Sequence, residues 1–189
     1  MSSPGTDRLH GYTMCGYNRP TASREDDAMP SKITPSLWFD TQAEDAANFY
    51  TSIFKNSRVI SVNRYNDAGP RPAGTVMTVE FELDGTRFVG INGGPQFKFD
   101  EAVSFQISCD DQSEVDYFWE RLTEGGEEGP CGWLKDKFGL SWQVVPTALE
   151  EILGDPDPGR AERATKAMLG MSKIDLAELR RAADDVSAT

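Results

Sequence analysis

From residue 33 onward, apolar and polar positions follow two periods in turn. Ile33-Thr34-Pro35-Ser36-Leu37-Trp38-Phe39 alternates and predicts a strand. Pro35 has no amide hydrogen for a ladder, so it belongs at an edge or a strand start. Between Ala43 and Phe54, Ala46, Ala47, Phe49, Tyr50 and Ile53 recur at helical spacing. Val59–Tyr65 predicts a second strand and Thr75–Leu83 a third. Asp84-Gly85 predicts a hairpin turn and Thr86–Asn92 a fourth strand. Gly93-Gly94-Pro95 then breaks the chain.

The pattern restarts. Val103-Ser104-Phe105-Gln106-Ile107-Ser108-Cys109 alternates as a strand, and Gln112–Leu122 carries Val115, Phe118, Trp119 and Leu122 on one helical face. Residues 124–130, rich in Glu and Gly, predict a solvated loop. Gly132–Asp136 and Ser141–Val145 predict strands around a Phe138-Gly139 turn. The halves superpose by number. Residues 40–44 fall on 110–114, and residues 84–88 on 138–142, so the second half is the shorter between its helix and its last hairpin. A βαβββ unit does not bury both faces of its own sheet, so pairing of two units is expected.

The C-terminus reads as helical. Asp157-Pro158 has the form of an N-cap followed by proline at the first helical position, with Gly170 as the stop. Asp175 with Glu178 three residues on is a capping-box signature for a last helix, whose apolar positions Leu176 and Leu179 are few. Residues 1–28, rich in Gly, Ser, Pro and charge, predict a disordered tail, and Met29 directly precedes the first strand as an alternative natural start. The expected organisation is a tail over 1–28, a domain over 29–146 with modules at about 30–95 and 101–146, and a helical extension over 147–189.

Charge narrows the function classes. Over 189 residues, 19 Lys and Arg against 31 Asp and Glu give a net charge of −12. So acidic a chain repels phosphate backbones and anionic lipid heads, which speaks against nucleic acid and membrane surfaces as partners. No apolar run approaches the roughly 20 residues of a membrane span. The single histidine, His10, lies in the tail, so imidazole-dependent mechanisms have no residue to use in the ordered part. Cys15, Cys109 and Cys131 form no CxxC and do not all pair within one chain. That favours a reducing, cytoplasmic setting and no zinc framework.

Several residues read two ways. Asn92, before the glycine pair, either presents its amide to a ligand or serves the turn. Gln143 sits in the apolar run Trp142-Gln143-Val144-Val145 and needs a polar partner, either a ligand or the backbone. Ser104, Gln106 and Ser108 face a cavity or solvent, opposite the apolar set that packs under a helix. Trp38, Trp133 and Trp142 line a pocket or fill the core. Cys131, with no histidine and only Lys135 nearby in sequence, either is a reactive thiol or is inert, and nothing in the sequence marks it as activated.

Three stretches resemble one family: Asn92-Gly93-Gly94-Pro95-x-Phe97-x-Phe99-x-Glu101-Ala102-Val103-Ser104-Phe105, Cys109-Asp110-Asp111-Gln112, and Gly132-Trp133-Leu134-Lys135-Asp136-Lys137-Phe138-Gly139-Leu140-Ser141-Trp142-Gln143. They are similar to the PhnB-like proteins of the vicinal oxygen chelate superfamily, a branch often labelled 3-demethylubiquinone-9 3-methyltransferase. The resemblance spans about residues 30–180. It implies an α+β fold of paired βαβββ modules forming a cup-shaped mixed sheet, the glyoxalase/bleomycin-resistance/dihydroxybiphenyl dioxygenase fold, with C-terminal helices added here. It also implies a homodimer.

Metal-dependent members of that superfamily take His or Gln from a module's opening strand and Glu from its closing strand. Here those positions fall near Thr34 or Pro35, Ser104 or Phe105, Val89 and Gln143, and none is His, Glu or Asp. No glycine-rich loop opens a helix as a nucleotide-binding methyltransferase would need. The expectation is therefore a small-molecule binder without metal or cofactor, acting by sequestration. Its ligand would lie near Trp38, Asn92, Ser104, Gln106, Trp133 and Gln143. The alternatives are a metal-dependent glyoxalase- or dioxygenase-type enzyme using other ligands, and an interaction protein using its C-terminal helices.

Overall fold

The computed structural model describes residues 32–185; the expected tail over 1–28 lies outside the described residues. The strand–helix–three-strand unit occurs twice. The first comprises β1 (Ser36–Phe39), α1 (Ala43–Ile53), β2 (Arg58–Arg64), β3 (Val76–Leu83) and β4 (Thr86–Asn92). The second comprises β5 (Ser104–Cys109), α2 (Gln112–Thr123), β6 (Glu127–Glu128), β7 (Trp133–Lys135) and β8 (Ser141–Pro146). The strands form two separate four-stranded sheets, ordered β1-β4-β3-β2 and β5-β8-β7-β6. Each is mixed: the first strand of a module runs parallel to its last, and the other neighbours are antiparallel.

The differences from the sequence reading have simple causes. The first strand begins at Ser36, later than Ile33, because Pro35 contributes only its carbonyl, which accepts from the Val89 amide at 3.0 Å. The stretch read as a loop over 124–130 contains β6, two exposed glutamates that are strand only because they pair with Lys135 and Leu134.

Each sheet turns one apolar face to a helix. On α1 the positions Ala43, Ala46, Ala47, Tyr50 and Ile53 are all buried, and on α2 Val115, Trp119 and Leu122 are. These faces, with Leu37, Phe39, Val79, Phe81, Leu83 and Phe88 of the first sheet and Ile107, Cys109, Leu134, Trp142 and Val144 of the second, form one core. Aromatic rings cross between the modules. Phe54 stacks on Trp142 at 5.5 Å, Phe88 meets Phe105 edge-on at 5.2 Å, and Phe138 meets Phe49 at 5.8 Å.

A carboxyl group is sunk in that core. Asp136, 2 % exposed, accepts from the Tyr50 hydroxyl and the Trp142 indole NH, each at 2.8 Å. Its other oxygen accepts from the amides of Phe138 (2.8 Å) and Leu140 (3.1 Å). Burial pushes its carboxyl up from the ordinary aspartate value, against the pull of these four donors. The Tyr50 hydroxyl is pushed well up as well, first by burial and then by the Asp136 charge. The carboxylate thus ties α1 of one module to the β7–β8 turn of the other.

Three helices follow: α3 (Ala148–Leu153), α4 (Pro158–Leu169) and α5 (Leu176–Asp184). Asp157 caps α4 by accepting from the Gly159 and Arg160 amides, and Asp175 caps α5 through the Glu178 amide. Ile174, Leu176 and Leu179 are buried, and Gln112 at the start of α2 donates to the Ile174 carbonyl (3.0 Å) and accepts from the Leu176 amide (2.9 Å). Among the described residues no helix is long and apolar enough to cross a membrane.

Candidate functional site

The strand register places four of the six candidate residues on one surface. Along β5, Ile107 and Cys109 turn to the helix, so Ser104, Gln106 and Ser108 turn outward. Gln106 pairs with Gln143 of β8, which pairs in turn with Trp133 of β7. Gln143 Nε2 donates to Ser104 Oγ at 2.9 Å. The outer face of the second sheet therefore carries Ser104, Gln106, Gln143 and Trp133 side by side. The i, i+2 rule adds two residues the sequence reading passed over, Lys135 and Ser141, which pair with one another. The signal was present in the spacing from Trp133 and Gln143.

Trp133, Lys135 and Ser141 line a cleft of about 330 Å³, closed by Glu101 and by residues 127–130. Lys135 Nζ reaches Glu101 at 2.6 Å. That bond lowers the Glu101 carboxyl and raises the Lys135 ammonium from their ordinary values. Both lie at the surface, where water screens the pair.

Trp38 and Asn92 lie elsewhere, on the first sheet. Trp38 is on its outer face, in register with Ile91. Its indole NH donates to the Gly94 carbonyl at 2.8 Å, and its ring meets Phe97 edge-on at 5.1 Å. A Cβ at Gly93 would stand 2.1 Å from that ring, so the glycine is what lets the tryptophan lie down. Trp38 and Phe97, with Phe39, Phe99 and Phe138, line a second cleft of about 330 Å³. Asn92 points to the helix side and is 3 % exposed. Its Oδ1 accepts from the Ala43 amide at 2.9 Å and its Nδ2 donates to the Val76 carbonyl at 3.2 Å. Both ends of the amide are thus engaged within the module, capping α1.

The family model described as 3-demethylubiquinone-9 3-methyltransferase matches residues 31–145. The chain belongs to this family, the PhnB-like proteins. The PhnB protein of Bacillus cereus is 36 % identical with a TM-score of 0.56; the match covers 62 % of this chain and 100 % of that one. Protein PA1353 of Pseudomonas aeruginosa is 19 % identical with a TM-score of 0.51, over 60 % of this chain and 96 % of that one, and shares the fold. A glyoxylase/bleomycin resistance protein/dioxygenase domain from Frankia sp. EAN1pec is 18 % identical with a TM-score of 0.42, over 63 % and 98 %. No curated protein matches the chain.

The residues at the superfamily's metal positions do not suit a divalent cation. Of the expected positions, Val89 has an apolar side chain and Ser104 and Gln143 offer a hydroxyl and an amide; their register partners Ser36, Ser141 and Gln106 add no charged donor. Among the described residues no three His, Cys, Asp or Glu stand together as a ligand set. The glycines after β4 lead through an irregular stretch into β5, not into a helix that would hold a nucleotide phosphate.

Proposed function

We propose that this PhnB-like protein sequesters a small molecule against the outer face of its second sheet, without a metal, as a cytoplasmic homodimer. The observation that carries the reading is the composition of that face. Ser104, Gln106 and Gln143 share a sheet face with Trp133, Lys135 and Ser141, of which the last three line the cleft of about 330 Å³ and Gln106 lines a separate one of about 520 Å³ with Phe54, Phe88, Phe105 and Trp142; the sheet's other face is apolar. Aromatic walls with a few polar groups are what small-ligand pockets are built from. The bond to Ser104 uses only the Gln143 NH2 group, so its Oε1 and the Ser104 hydroxyl hydrogen remain to meet a ligand.

The shared core supports the dimer reading. Both sheets turn their helix faces to it, so their outer faces look away from each other. A cup closed on two sides takes its second wall from another copy, and the outer face with Trp38, Val89 and Ile91 supplies a suitable one. In this reading Trp38 joins the site from the partner, and Asn92 serves it only by capping α1. Cys109 and Cys131 are both free, which supports a reducing compartment.

Native mass spectrometry of the protein purified from its own host without chelator tests the proposal. The expected result is a metal-free dimer, bare or with an organic adduct. A ligand so identified, at 100 times its dissociation constant, should stabilise the fold by about 2.7 kcal/mol. One divalent ion per chain, lost in Gln143→Ala, would overturn the metal-free reading, and a monomer would overturn the shared cup.

A further inference from the structure

The C-terminal helices meet the candidate cleft at one turn. The Cys131 amide donates to the Met171 carbonyl at 2.8 Å and the Gly132 amide to the Ser172 carbonyl at 2.7 Å. These two residues join Pro130 to Trp133, both of which line the cleft. Both stand in the left-handed region, Cys131 at φ 56° and Gly132 at φ 85°. That conformation is disfavoured for a residue with a side chain, so Cys131 needs a constraint to stay there. At Gly132 an added Cβ would lie 2.8 Å from the Val144 carbonyl oxygen, which leaves the position to glycine.

The segment that supplies the two carbonyls is itself fixed. Ile174 is fully buried, Gln112 holds the backbone at Ile174 and Leu176, and Lys173 pairs with Asp116 at 2.6 Å. It also lies beyond the shared domain. The family model ends at residue 145, before α3. Among the described residues, the side chains of Glu101, Lys135 and Ser141, which also line the cleft, make their polar contacts away from the extension: Lys135 with Glu101, and Ser141 with the Asp100 carbonyl.

We infer that the C-terminal extension is a positioning element of the outer-face cleft: through Met171 and Ser172 it holds the Cys131–Gly132 turn and so sets where Pro130 and Trp133 stand. The inference rests on the proposal that this cleft holds the ligand. On this account the shape of one wall, and with it the choice of ligand, comes from a segment outside the family domain. Gln112, Ile174 and the 171–172 backbone act through Trp133 and touch no ligand themselves.

The test uses the full chain labelled with 5-fluorotryptophan, in wild type, Gln112→Ala and Ile174→Ala, with the Trp133 resonance assigned by Trp133→Phe. Release of the extension should shift the Trp133 fluorine resonance and speed amide exchange at Cys131 and Gly132 at least tenfold. The Trp38 resonance and the amides of β3 should stay as in wild type. Gln112→Ala removes two hydrogen bonds to the extension and one to Asp116, and no core volume, so it reports even where Ile174→Ala proves too disruptive. Wild-type protection at 131 and 132 in Gln112→Ala would overturn the inference. So would a loosening that runs equally through β3 and β8, which would make the extension a general stabiliser. The small-molecule proposal stands or falls separately, on the adduct found by mass spectrometry.

Discussion

The two modules cap their helices in opposite ways. In the first, the residue before α1 is Gln42, whose side chain makes no capping bond, and the acceptor comes from Asn92 at the far end of β4. In the second, the position equivalent to Asn92 is Pro146, as the pairs Phe39–Asn92 and Cys109–Pro146 show. Proline has no side-chain acceptor, and α2 is capped locally by Asp111, which accepts from the Glu114 amide. Thr41 stands seventy residues before Asp111, so each module places its acceptor at one of two equivalent sites. A long-range cap binds helix to sheet, whereas a local cap leaves the two independent. The second sheet is also the smaller, with β6 and β7 of two and three residues against seven and eight for β2 and β3. It draws support from outside its own strands, from Tyr50 through Asp136 and from the C-terminal extension.

The largest blow to this arrangement is Asp136→Ala. It strands a tyrosine hydroxyl, an indole NH and two amides in a buried site, and should cost about 3–5 kcal/mol in urea unfolding. A loss under about 1 kcal/mol would mean the carboxylate does not couple the modules. Next come the two caps. Asn92→Ala should cost about 2 kcal/mol, the top of the range for a cap, because its bond to the Ala43 amide is buried. Asp111→Ala, at the surface, should cost about 1 kcal/mol. Equal losses would erase the distinction between the two ways of capping.

A smaller effect is the pH dependence of the Asp136 contribution. Burial holds its folded pKa above the unfolded value of about 3.9. The folded state therefore keeps a proton that the unfolded chain has lost, and the group's contribution is full below that value and shrinks as pH rises through the folded pKa. Asp111, Asp116 and Asp155 are lowered by their hydrogen bonds and act in reverse, their contribution shrinking as pH falls. The stability difference between wild type and Asp136→Asn should thus decline from pH 4 upward; a difference that grows with pH would sink the argument. The smallest effect is on thiol chemistry. Burial first, then the nearby Glu114, Asp110 and Asp111, push the Cys109 thiol up to about 12. In native protein at pH 8, peptide-mapped alkylation should mark the half-buried Cys131 long before Cys109, and comparable rates would show that the core around Cys109 opens.

What was legible in the chain was whatever its own neighbours determine. Alternation marked β3, β4 and β5, helical spacing marked α1 and α2, and the caps at Asp157 and Asp175 are local bonds within four residues. The turn-by-turn register also carried Ser104, Gln106, Trp133 and Gln143 to one face. What was not legible depends on distant partners. Asn92 looked like a turn residue because the amide it caps is 49 residues away. Asp136 looked like part of a hairpin because its partner Tyr50 is 86 residues away. The strand β6 is two glutamates with no apolar mark. The helix α3 had a weak signal in Leu149, Ile152 and Leu153, too short to stand out.

The separation of Tyr50 from Asp136 has a consequence for how the protein is born. The first module has all its own strands once Asn92 has left the ribosome, yet Asp136 follows only some 44 residues later. At typical elongation rates of about 5–20 residues per second, the wait is roughly 2–9 s. Throughout it, the nascent chain exposes the parts of Phe49, Tyr50 and Phe54 that later meet Phe138 and Trp142 of the second module. That interval is when the chain is most open to aggregation, and when slower translation of the second module would cost most yield.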